Sequence, residues 1–78
     1  MVNKDNIHIG QLIKAELKKQ GKTNIWFAQQ LSVNIRTVNK IFLKEVIDTH
    51  QLLRISKILH KDFFQYYSDD IKDSCSPF

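Results

Sequence analysis

One cysteine, Cys75, in a chain of 78 residues leaves no internal disulfide and no cysteine-built zinc site to staple a fold. Stability has to come from packed apolar side chains, at a length that allows one core and no second. A fold held by packing alone points to a reducing, intracellular setting. Two glycines and one proline exclude a glycine-rich phosphate loop and collagen-like repeats. At 42% hydrophobic and 26% charged residues, the composition belongs to a folded, water-soluble domain and not to a disordered tail. No run approaches the roughly 18 apolar residues of a membrane span, and Asp5 and His8 interrupt the start where a signal peptide would lie.

The net charge of +4 is unevenly distributed. Residues 1–61 hold eleven Lys and Arg against Asp5, Glu16, Glu45 and Asp48, a balance of +7. Residues 62–78 hold Lys72 against Asp62, Asp69, Asp70 and Asp73, a balance of −3. A basic body with an acidic end suits a polyanionic partner that the end repels. A lysine-rich solvated surface is the competing explanation.

Hydrophobic periodicity gives helices throughout. Ile9, Leu12, Ile13, Glu16 and Leu17 fall at i, i+3, i+4, i+7 and i+8, an apolar stripe broken only by Glu16. Gly21 supplies a left-handed residue to end this helix over 9–20. Thr23 suits an N-cap for a helix from Asn24 to Leu31 that buries Phe27, Ala28 and Leu31. Asn34 caps a third helix from Ile35 to about Leu43, with Val38, Ile41 and Phe42 inward. Asp48 with Gln51, and Asp62 with Gln65, have the spacing of capping boxes. They start a fourth helix, with Leu52, Leu53, Ile55, Ser56 and Leu59 inward, and a short fifth one over Phe63–Tyr67. Strand signals are absent, so the expected fold is all-α, with four or five short helices. The expected organisation is an N-terminal arm over 1–7, a domain over 8–67 and a flexible acidic tail over 68–78.

The segment Thr23–Phe42 has the pattern of two helices packed through a short turn. Such packing requires a small residue where the helices meet, here Ala28. It also requires an apolar set, here Phe27, Leu31, Val33, Val38 and Ile41, with Ser32 at the turn position where glycine is commonest. The stretch TNIWFAQQLSVNIRTVNKIF, followed by DTHQLLRISKILHKDFF and preceded by IGQLIKAELKKQG, resembles the lambda-repressor-like family of Xre-type helix-turn-helix regulators. The resemblance covers roughly residues 8–67. Two positions depart from the family pattern: Phe42 stands where an acidic residue is usual, and Leu43-Lys44-Glu45 replaces a glycine-containing loop.

The resemblance implies that the third helix enters the DNA major groove N-terminus first. Ile35, Arg36, Asn39 and Lys40 are then the base-facing residues. Arg36 has the planar fork that bonds guanine O6 and N7 together, and Asn39 the amide that pairs with adenine. Ile35 suits a thymine methyl, and Lys40 a base or a phosphate. The free amides at the starts of the second and third helices favour an anion. Thr23, Asn24, Asn34 and Thr37 are placed to add side-chain bonds to phosphate there, with Lys22 and Lys44 adding charge from flanking loops. Thr23 and Asn34 also have N-capping as a role in its own right, and a solvated helix face is the alternative for Arg36, Asn39 and Lys40.

Other constellations carry less. His8, His50 and His60 have no i, i+4 pairing and no cysteine cluster, so capping or surface roles are expected and no metal or cofactor. No spacing suggests a catalytic triad, so no enzymatic activity is expected. Cys75 reads as an inert thiol. Phe63, Phe64, Tyr66 and Tyr67 crowd four of the eight aromatics into five residues. A short helix buries one stripe, so Phe64, Tyr66 and Tyr67 are candidates for a dimer or partner surface.

These features together give the expectation of a cytoplasmic, nucleoid-associated, sequence-specific binder of double-stranded DNA. It would be a transcriptional regulator of bacterial or phage type that acts as a homodimer. The chain has no evident room for a small-molecule sensing pocket. The alternatives are an antitoxin- or adaptor-like module with a protein partner, and a non-specific nucleic-acid binder.

Overall fold

The computed structural model describes residues 7–75, which form five helices and no strand. They are α1 (Ile9–Lys19), α2 (Asn24–Leu31), α3 (Ile35–Leu43), α4 (Thr49–Leu59) and α5 (Phe64–Cys75). The all-α class expected from periodicity holds. Residues 1–6 of the expected N-terminal arm, and residues 76–78, lie outside the described residues.

Helix starts follow the capping residues. The side chains of Thr23, Asn34 and Asp48 each accept a hydrogen bond from the backbone N–H three residues on, at 3.0, 2.9 and 2.7 Å. His8 does the same for α1 through Nδ1, at 3.2 Å from the Gln11 amide. Each bond satisfies one of the otherwise unpaired amides of a first helical turn.

Three helices end on a left-handed residue, and only one of these is a glycine. Gly21, Ser32 and His60 have φ of 73°, 60° and 52°. After α1, the Lys22 amide donates to the Leu17 carbonyl; after α2, the Val33 amide donates to Ala28; after α4, the Lys61 amide donates to Ser56. This reverse bond closes the last turn of the helix and directs the chain away.

The core is one cluster built from α1 to α4 and the turn before α5. Ile9, Ile13 and Leu17 of α1 meet Phe27, Ala28 and Leu31 of α2 and Val38, Ile41 and Phe42 of α3. Leu52, Ile55 and Leu59 of α4 close it, together with Phe63 just before α5. The Phe27 and Phe42 rings stack with centroids 6.2 Å apart and planes 1° from parallel. Phe42 is therefore a core residue.

α1 and α3 are joined more closely than side-chain packing would allow. The amides of Ile9 and Gly10 donate to the carbonyls of Glu45 and Lys44, at 3.2 and 2.9 Å. Any Cβ on Gly10 would fall 2.7 Å from the Lys44 carbonyl oxygen and nearer still to those of Ile41 and Phe42. The Leu43-Lys44-Glu45 segment thus caps the start of α1 with its backbone.

Two expectations are corrected. Leu53, expected on the inner face of α4, is 43% exposed, because it lies about 100° around the helix from Leu52. The segment from Ser68 onward, expected as a flexible tail after a short helix ending at Tyr67, continues as helix to Cys75. Ser68 to Asp73 carries one large apolar residue, Ile71, so this helix has no apolar stripe to announce it in the sequence. Its start also shifts: Phe63 stands in the preceding turn, and the Asp62 carboxylate accepts from the Phe64 amide at 3.0 Å.

Candidate nucleic-acid interface

α3 divides cleanly into two faces. Val38, Ile41 and Phe42 are buried, which fixes the rotation of the helix and turns Arg36, Asn39, Lys40 and Leu43 outward. Ile35, at the first helical position, is 38% exposed. Asn34, Ile35, Arg36 and Asn39 line one open concavity at the start of the helix. Three of the four expected base-facing residues therefore share a surface depression, and Lys40 follows one turn along the same exposed face.

The residues expected at phosphates sort into three kinds. Lys22, Asn24 and Lys44 are exposed to solvent. The Lys22 ammonium lies 4.9 Å from the centroid of the Trp26 ring, which ties it to the first turn of α2 by a cation–π contact. Thr23 and Asn34 cap their helices through oxygen lone pairs, which leaves the Thr23 O–H and the Asn34 side-chain N–H groups as donors. Thr37 is half-buried, and both its amide and its hydroxyl donate to Asn34 Oδ1, at 2.9 and 3.2 Å. Both bonds hold the α3 cap in place.

Every helix lacks an acidic residue in its first turn. For α2 and α3, a carboxylate there would compete with any bound anion for the free amides. The α2–α3 pair is braced from behind by Arg54 of α4, whose guanidinium donates to the Leu31 carbonyl at 3.0 Å. That bond fills an acceptor left open at the end of α2.

The aromatic cluster is split between two surfaces. Tyr66 stacks on Phe63 with centroids 6.3 Å apart, and the Lys61 ammonium lies 5.3 Å from its ring. Phe64 and Tyr67 instead line an apolar concavity of about 260 Å³ with Val46, Ile47, Thr49 and Leu52. Burial raises the Tyr67 phenol above its ordinary value of 10.0. Val46 and Ile71, 77% and 63% exposed, were not among the expected surface residues. An isolated apolar residue in a loop or a charged helix gives no periodic signal.

Among the described residues, no helix is long and apolar enough to cross a membrane. No family model matches the chain, and no curated protein or solved structure matches it.

Proposed function

We propose that this chain is a sequence-specific double-stranded DNA-binding protein, a small transcriptional regulator of the lambda-repressor-like type that reads the major groove with α3. The observation that carries the proposal is the outward face of that helix. Arg36 and Asn39 are solvent-facing, line one concavity with Ile35, and stand on a helix whose rotation the core fixes. Guanidinium and carboxamide groups are the two side chains best matched to guanine and adenine edges in the major groove. A rigid helix delivers them without the entropy cost of ordering a loop.

Lys22, Asn24, Thr23, Asn34 and Lys44 would hold the backbone on either side, where contacts set register and affinity but carry no sequence information. One domain of this size makes few contacts, so specific affinity calls for two copies on half-sites about 34–36 Å apart. The place of action on this proposal is the cytoplasmic nucleoid.

Substitution separates the two kinds of contact. Arg36→Ala is expected to relax base preference at one position of each half-site, at about 1–3 kcal/mol of lost discrimination. Lys44→Ala is expected to weaken specific and random duplexes alike and to lower the salt slope by about 0.9. Titration of both variants on specific and random DNA at several salt concentrations checks this. Equal losses from Arg36→Ala on the two DNAs would remove the direct-readout assignment.

A second reading, a protein-interaction module, draws on the apolar concavity of Val46, Ile47, Phe64 and Tyr67. On that reading Val46→Asp abolishes a stoichiometric complex with a co-expressed partner and Arg36→Ala leaves it intact.

A further inference from the structure

We infer that α1 is a third element of the DNA interface, with Lys14 and Lys18 contacting backbone phosphates beside those held by α2 and α3. The inference rests on the DNA-binding proposal and adds residues that neither the helix-turn-helix pattern nor the cap positions single out.

The two sides of α1 differ in chemistry. At about 100° per residue, Gly10, Lys14 and Lys18 advance along one flank of the helix. Gly10 is pressed against the backbone at the end of α3, so this flank faces α3. The opposite flank carries Glu16, whose carboxylate accepts from the Gln20 side chain at 2.8 Å. Gln20 also donates to the Leu59 carbonyl at 2.7 Å, which places Glu16 and Gln20 at the end of α4. The one acidic residue of α1 is thus turned away from α3, and the flank beside α3 is cationic.

The ends of this cationic row lie near aromatic rings. The Lys14 ammonium lies 6.0 Å from the centroid of the Phe42 ring, in the last turn of α3. That distance is at the outer limit of a cation–π contact, so the ring guides the side chain without consuming its charge. Phe42 also lies on the side of α3 adjoining Ile35 and Asn39, because the three fall within about 60° around the helix. Lys18 is exposed one turn further along α1. Lys22, over Trp26, completes the row at the first turn of α2. Three ammonium groups therefore run from the end of α3 to the start of α2, along the edge of the proposed base-reading face. A duplex seated on α3 presents a phosphate backbone to that edge, and the backbone contacts would be indifferent to sequence.

The test compares wild type, the double variant Lys14→Gln/Lys18→Gln, and Lys19→Gln, which removes the same kind of charge from the other side of α1. Affinity for a selected duplex and for a random duplex of equal length is measured across a series of salt concentrations. Circular dichroism confirms equal helicity. The double variant is expected to lose roughly tenfold in affinity on both duplexes and to lower the salt slope by about 1.8, two phosphate contacts' worth. Lys19→Gln is expected to keep the wild-type slope. An unchanged slope in the double variant, or an equal loss from Lys19→Gln, overturns the inference while the DNA-binding proposal stands. If the wild type itself shows no salt-dependent duplex binding, both fall together.

Discussion

Gly10 shows how much one residue can fix. Its missing side chain lets α1 lie directly on the carbonyls that end α3, and its amide bonds to one of them. Gly10→Ala should cost about 2–3 kcal/mol, since backbone has to move to admit a methyl group. A fall in the urea midpoint with an unchanged m-value is the expected signature. Nothing in the sequence marks this glycine, because its partners lie more than thirty residues away and the local pattern continues as an ordinary amphipathic helix. Arg36 and Asn39 are the contrary case. Their outward placement follows from Val38 and Ile41 alone, and the structure sets them where the period sets them. Thr37 serves the cap at this scale, its hydroxyl donating to Asn34 Oδ1 at 3.2 Å. Tyr67 gives a pH prediction. Its folded value is raised by burial, so the phenol holds its proton more tightly in the folded chain. The linked stability is present below the unfolded value near 10 and is lost as pH rises through the folded value. Tyr67→Phe should flatten the alkaline decline of the unfolding temperature and remove the most alkaline part of the phenolate titration.

At the scale of elements, the caps were the most legible signal and α5 the least. Thr23, Asn34 and Asp48 each start a helix as their side-chain chemistry requires, because an oxygen at that position relieves an unpaired amide wherever the helix then packs. Asn34→Ala should cost about 1 kcal/mol. In a domain of this size that lowers the thermal midpoint by about 4–8 °C. Ser32 ends α2 in a left-handed conformation that suits glycine better. Ser32→Gly should therefore raise stability by about 0.5–1 kcal/mol without changing DNA affinity. Thermal unfolding checks both variants, and a destabilising Ser32→Gly would mean that the serine hydroxyl contributes something the backbone geometry does not explain. The reach of α5 through Cys75 was not legible. Its second half, SDDIKDS, has neither a stripe to bury nor a cap to end on, and its exposed face follows the helix begun by Phe64 to Tyr67.

Across the whole molecule, charge and shape fall into the same division. The body that contains α1 to α4 holds nearly all the cations, and α5 carries Asp69, Asp70 and Asp73 against Lys72. The described residues measure 45 × 23 × 21 Å, and residues 68–73 of α5 are exposed apart from half-buried Asp70. On the DNA-binding proposal the acidic helix stays off the polyanion, and the apolar concavity beside Phe64 and Tyr67 stays open for a second copy. Sedimentation of the protein with a duplex carrying two half-sites should give two chains per duplex. The central claim is that the outward face of α3 reads base sequence, and selection of bound duplexes from a random pool tests it most directly. Wild type is expected to enrich a short motif repeated as two half-sites about 34–36 Å apart. Arg36→Ala is expected to lose preference at one position of each half-site and to keep the rest. No enrichment by the wild type, or the same motif from both proteins, would contradict it.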